Sequence, residues 1–75
     1  MKIEILGMGC PKCKMLYQNT LTALKDANKQ AEVIKIEDIS KITEYAVMMT
    51  PALVIDGKVK SAGKVLSAED IRKLI

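Results

Sequence analysis

Thr50-Pro51-Ala52-Leu53-Val54-Ile55-Asp56-Gly57-Lys58-Val59-Lys60 is the stretch on which the fold turns. Ala52 to Ile55 is an apolar run of strand length. Asp56-Gly57 supplies the positive φ angles of a type I′ turn, and Lys58 to Lys60 resumes as a second strand, so the segment predicts an antiparallel hairpin. Pro51 cannot donate to a ladder and therefore opens the first strand, and it biases Thr50 away from helix.

Moving towards the N-terminus, Asp38 or Ser40 can cap a short helix with the apolar face Ile39, Ile42, Tyr45 and Ala46, whose end is forced by Pro51 acting on Thr50. Ala31 to Ile36 holds the β-branched run Val33, Ile34 and Ile36 and reads as a strand closed by Glu37 and Asp38. A polar break at Asn28 to Gln30 separates it from a helix running from Pro11 to about Ala27. Pro11 suits the first helical position, and Leu16, Thr20, Leu24 and Ala27 repeat at helical spacing with Tyr17 and Leu21 beside them. Lys2 to Leu6 is a strand ended by Gly7 and Gly9. Beyond the hairpin, Ser67-Ala68-Glu69-Asp70 has the pattern of a capping box, and Ile71, Leu74 and Ile75 give a last helix its buried stripe.

The order is βαβαββα. A strand, helix, strand unit crosses over right-handed, which makes the first two strands parallel, while the hairpin adds an antiparallel pair. The expected fold is α/β, a mixed four-stranded sheet flanked by helices, in one domain over residues 1–75.

Composition excludes several functions. Twelve basic and nine acidic residues give a net charge of +3, and they are scattered along the chain. This is too mild a balance to imply nucleic acid, and Tyr17 and Tyr45 are the only aromatic residues, so stacking platforms are absent. The longest uncharged apolar run, Ala46 to Ile55, is too short for a bilayer and is broken by Thr50 and Pro51. Lys2 and Glu4 interrupt the first segment, which is unlike a signal peptide. A soluble cytoplasmic protein with no membrane or nucleic-acid partner is expected. No Gly-rich phosphate loop or paired-carboxylate site is visible.

The chain has no histidine and two cysteines, Cys10 and Cys13. Histidine-dependent catalysis is impossible, and two ligands do not make a structural zinc site. A bridge across so short a loop staples almost nothing. In Gly9-Cys10-Pro11-Lys12-Cys13, Cys10 falls at the junction of strand and helix. The amides and dipole of the first turn stabilise a thiolate there, with Lys12 and Lys14 adding positive charge. Cys13 lies one turn deeper on the same face, within reach of a mixed disulfide at Cys10. Cys10 is read as the nucleophile and Cys13 as the resolving thiol. Two small buried hydrophobes are the plainer alternative.

Cys-Pro-Lys-Cys after a first strand, with Thr-Pro-Ala-Leu-Val-Ile-Asp-Gly-Lys downstream, resembles the thioredoxin-like superfamily, in particular its short archaeal and bacterial redox-active disulfide proteins. The resemblance covers nearly the whole chain. It implies a dithiol-disulfide oxidoreductase of minimal thioredoxin-like fold, acting as a monomer without a bound cofactor or metal. Its substrate would be a disulfide-containing protein or small molecule. Its electrons would come from a flavin-dependent thioredoxin reductase, another thioredoxin or a small thiol. The resemblance further implies that Pro51 is cis and lies against the dithiol. It also implies that Thr50 pairs with an extended substrate by strand addition and that Pro11 and Lys12 contribute to the substrate surface.

The sequence departs from the family in three places. Pro-Lys stands between the cysteines, no tryptophan precedes Cys10, and the position of the family's buried aspartate, six residues before the first cysteine, is Glu4. Glu4 is open to two readings: a helper in proton transfer to Cys13, or a solvated edge charge, which its alternation with Ile3 and Ile5 favours.

Met8-Gly9-Cys10-Pro11-Lys12-Cys13 also fits the Met-x-Cys-x-x-Cys of heavy-metal-associated domains, which carry Cu(I) between two thiolates. That fold wants two consecutive strands after the first helix, whereas here one strand is followed by helix. Met8, Met48 and Met49 are then read as core or rim filler around the dithiol.

Overall fold

The computed structural model describes residues 1–75. The elements are β1 (Lys2–Leu6), α1 (Pro11–Asp26), β2 (Glu32–Ile36), α2 (Ile39–Glu44), β3 (Ala52–Ile55), β4 (Lys58–Ala62) and α3 (Ala68–Leu74). Their order is the expected βαβαββα. The sheet runs β2-β1-β3-β4, with β1 parallel to β2 and antiparallel to β3, and β3 antiparallel to β4. It is the mixed four-stranded sheet of a small thioredoxin-like fold. Helix α2, standing between β2 and β3, also separates this order from that of heavy-metal-associated domains.

Register decides which face each side chain meets. Ile3 pairs with Ile55 and Ile5 with Leu53, and these four pack on Leu16, Ala23 and Leu24 of α1 and Ile71 of α3. On the opposite face, Leu6, Ala52 and Val54 pack on Ile42 of α2. Both faces of β3 are therefore covered, which is why its sequence is an unbroken apolar run with no polar alternation.

The hairpin turns at Asp56 and Gly57, whose φ angles of 50° and 82° are those of a type I′ turn. Strand β4 runs two residues past the expected Lys60, because a register shift after Leu53 pairs Ser61 with Leu53 and Val59 with Val54. Lys60 is the extra residue of that bulge. Helix α1 ends at the expected polar break. Asn28 takes φ 53°, and its N–H donates to the Lys25 carbonyl while the Lys29 N–H donates to that of Leu24, the pair of bonds that closes a Schellman motif.

Helix α2 corrects one expectation. Asp38 is its cap, its Oδ1 accepting from the Ser40 N–H at 2.9 Å, but the helix stops at Glu44 and Pro51 does not end it. Ala46 adopts φ 56°, which turns the chain out of the helix. The apolar face read from the sequence is not buried as one stripe, since Ile39 is 63% exposed and only Ile42 is buried. By leaving the helix early, the chain brings Tyr45 and Val47 against the cluster of Leu6, Ile42, Ala52 and Val54.

Candidate active site

The C-terminal end of β1, the segment that leads into β3 and the start of α1 meet at one end of the sheet. Cys10 occupies the cap position of α1 in extended conformation, with Pro11 opening the helix. Its carbonyl accepts from the Lys14 N–H at 3.1 Å, so its backbone is fixed while its sulfur stays at the surface. Cys13 lies one turn further in and is 6% exposed. Both are free thiols, with sulfurs 2.8 Å apart.

The two environments differ in the direction that makes one sulfur a nucleophile. The Cys10 thiol is held below its ordinary value. The main cause is hydrogen bonding from the Cys13 side chain, and the backbone N–H groups of Cys13 and Lys12 add to it. The Cys13 thiol is pushed up by burial and then by its place beside the Cys10 sulfur. No acidic side chain stands in the first turn of α1 to oppose a thiolate. One proton shared between the sulfurs therefore resides on Cys13.

Gly7 sets how deeply Cys13 can sit. A Cβ at Gly7 would run into Cys13 Sγ and would stand 3.8 Å from the Thr50 Cβ. The missing side chain is therefore what lets the Cys13 sulfur and Thr50 close on the same point, just past the end of β1. Thr50 is exposed, Pro51 is buried, and the Thr50–Pro51 peptide bond is cis. The Pro51 carbonyl accepts from the Gly63 N–H at 2.8 Å, tying this segment to the end of β4. Pro11 and Lys12 are both exposed at the helix start. Met8, Met48 and Met49 are exposed, Met48 at 97%, so they belong to the rim and not to the core.

Glu4 overturns the solvated-edge reading. Strand β1 lies between β2 and β3 and is not an edge, and Glu4 is 7% exposed. Opposite Val54 in the register, it lies on the α2 face of the sheet, where its Oε2 accepts from the Tyr45 hydroxyl at 2.8 Å and its Oε1 stands 3.6 Å from Lys2 Nζ. The pairing pushes the Tyr45 hydroxyl above its ordinary value. Strand alternation was a poor guide here because both faces of β1 are covered. Ile3 and Ile5 look toward α1, so Glu4 looks away from it.

Sequence reasoning also passed over the one cavity, a cleft of about 250 Å³ beside Cys13 with Lys14, Lys35 and Glu37 at its wall. The signal was present in the parallel crossover, since a β2 running alongside β1 places Lys35 next to Ile5.

Residues 1–75 match the family described as Thioredoxin domain. A thioredoxin of Methanothermobacter thermautotrophicus is 40% identical over 75 residues, which cover 100% of this chain and 97% of that protein. A thioredoxin of Methanocaldococcus jannaschii is 37% identical over 71 residues, which cover 95% of this chain and 81% of that protein. With likeness running from the first strand to the last helix, the chain belongs to the thioredoxin domain family.

Proposed function

We propose that this protein is a thiol-disulfide oxidoreductase that reduces or exchanges disulfides through Cys10 and Cys13. The observation that carries the reading is the asymmetry of the pair: an accessible thiol held below its ordinary value, 2.8 Å from a buried one pushed above its own. Family membership and two archaeal thioredoxins of similar length support it.

The Cys10 thiolate attacks one sulfur of the substrate disulfide, forming a mixed disulfide and expelling a substrate thiolate that takes up a proton. Cys13 then loses its proton and attacks the Cys10 sulfur. The second substrate thiolate leaves, Cys10 and Cys13 close into a disulfide, and two electrons have passed to the substrate. In this reading Thr50, Pro51, Pro11 and Lys12 form the substrate surface, with the Thr50 backbone offering strand-type hydrogen bonds to an extended segment. A reductase or a small thiol returns the electrons. The setting is the cytoplasm, and no helix is long and apolar enough to cross a membrane.

Capture in cell extract tests the proposal. Cys13→Ser lacks the resolving attack and is expected to accumulate long-lived mixed disulfides through Cys10, released by dithiothreitol. Trapping by Cys10→Ser in its place would reverse the two roles, and trapping by neither would remove the reading.

A further inference from the structure

Residues 47–50, which lead into the cis Thr50–Pro51 bond, lie between α2 and β3 and make no backbone–backbone hydrogen bond. Such a stretch leaves its N–H and C=O groups open to an extended substrate, and for the same reason it does not fix its own position. Its two ends are fixed instead. At the β3 end, the Gly63 N–H donates to the Pro51 carbonyl at 2.8 Å. Met49 packs on the same glycine, with its Cβ 3.0 Å from the point a Gly63 Cβ would occupy.

At the α2 end the anchor is Tyr45. The helix has ended, Ala46 turns the chain away with φ 56°, and the Tyr45 hydroxyl donates to Glu4 Oε2 at 2.8 Å. Stability alone does not account for a glutamate there. Glu4 stands on a central strand opposite Val54 and is 7% exposed. Taking a carboxylate out of water has a cost that its bonds at best return, so a well-packed apolar side chain would serve the core as well or better. What the carboxylate adds is direction: a hydroxyl bonded to it is held at a short, fixed distance, whereas apolar contact lets a ring slide.

Strand β1 is the common reference for these parts. Its C-terminal end leads to Cys10, its ladder pairs Leu6 with Ala52, the residue after Pro51, and its α2 face holds Tyr45 through Glu4. Glu4 does this apart from the sulfurs. Its partners are Tyr45 and Lys2, while the Cys13 sulfur is placed against Gly7.

We propose that Tyr45 and Glu4 are positioning residues, whose bond holds residues 46–50 so that the Thr50 backbone meets an extended polypeptide beside the disulfide being reduced. The inference rests on the redox reading above and names the residues by which a disulfide set in a polypeptide is favoured over a small one. A disulfide without flanking chain has no backbone to lay along Thr50 and gains nothing from the anchor. The chemistry at Cys10 and Cys13 is the same for both.

The test mixes the reduced full-length protein, in single turnover, with increasing insulin or with hydroxyethyl disulfide, a small disulfide without a backbone. Loss of free thiol is followed by acid quench and alkylation. Tyr45→Phe should raise the half-saturating insulin concentration about threefold to tenfold, the scale of one hydrogen bond. Its limiting rate and its rate with hydroxyethyl disulfide should match those of the wild type. Glu4→Gln keeps an acceptor for the hydroxyl and should behave as wild type with both. Ile71→Val loosens the core on the other face of the sheet and controls for stability, so it should change neither. Should Tyr45→Phe not fold, Glu4→Leu fills the strand position, removes the acceptor and makes the same comparison.

An equal loss with both disulfides, or no change with insulin, would overturn the inference. So would a wild-type protein that reduces hydroxyethyl disulfide and not insulin, which would keep its redox function and lose only the anchor. A wild-type protein that reduces neither loses the redox reading and this inference with it.

Discussion

At the scale of single residues, the site depends on how closely two sulfurs are brought together and how differently they are surrounded. The largest cause of the lowered Cys10 value is the Cys13 side chain, and this gives an ordered expectation for alkylation by iodoacetamide. In the wild-type protein the rate should rise with a midpoint below the ordinary 9.0 of a thiol. Cys13→Ser keeps a hydroxyl donor and should move that midpoint up only part of the way. Cys13→Ala removes the donor and should move it further, leaving the backbone amides to hold what remains. Identical midpoints in the three proteins would show that the side chain contributes nothing. Gly7 makes a separate demand, because any Cβ there collides with Cys13 Sγ. Gly7→Ala should cost about 1 to 3 kcal/mol in urea denaturation of the reduced protein, the usual penalty for overfilling a packed position. It should also slow capture of substrate, since Cys13 and Thr50 both close on this point.

At the scale of elements, the hairpin is where sequence and structure agree most closely, and a variant isolates why. Gly57 has φ 82° and nothing within 4 Å of a prospective Cβ, so Gly57→Ala tests conformation without a packing change. It should lower stability by about 1 to 2 kcal/mol, the cost of placing an L side chain in the left-handed region. An unchanged urea midpoint would mean the turn does not hold the hairpin. Elements with such local signals were legible throughout. Ser67 caps α3 by accepting from the Asp70 N–H at 3.1 Å, as its pattern implied, and Pro11 opens α1. What was not legible depended on the second face of the sheet. The end of α2 is set by packing of Tyr45 and Val47 against the cluster of Leu6, Ile42, Ala52 and Val54, and the burial of Glu4 is set by the Tyr45 hydroxyl 41 residues away in the chain. Neither contact leaves a periodic trace. The cysteine pair was legible because spacing and a helix start suffice to define it, whereas the cleft needed the register of β2 on β1.

At the scale of the whole molecule, the two thiols and Tyr45 link stability to pH in opposite senses, and the oxidised protein provides the reference. Closing the disulfide removes both thiol titrations while carboxylates and lysines stay in place, so the difference in stability between reduced and oxidised forms isolates the thiols. Cys10 has a folded value below the ordinary 9.0 of a thiol. Between those two values the unfolded chain holds a proton that the folded one has released, so stability of the reduced form rises with pH and the contribution is complete above about 9. It is lost again as pH falls through the lowered folded value. Cys13 has a folded value above 9.0, and the sign reverses: past that point the unfolded chain has given up a proton that the folded one retains, and stability falls. The difference curve should therefore climb from the lowered Cys10 value, crest near about 9 and decline beyond it. Tyr45, raised above 10.0 by its bond to Glu4, lowers stability at still higher pH in both forms and cancels from the difference. Urea midpoints of the two forms, measured across this range, check the shape. Cys10→Ser should abolish the rising limb in the reduced protein and leave the falling one. A flat difference curve would mean that the environments of the two sulfurs are alike, and the asymmetry from which nucleophile and resolving thiol were assigned would be gone.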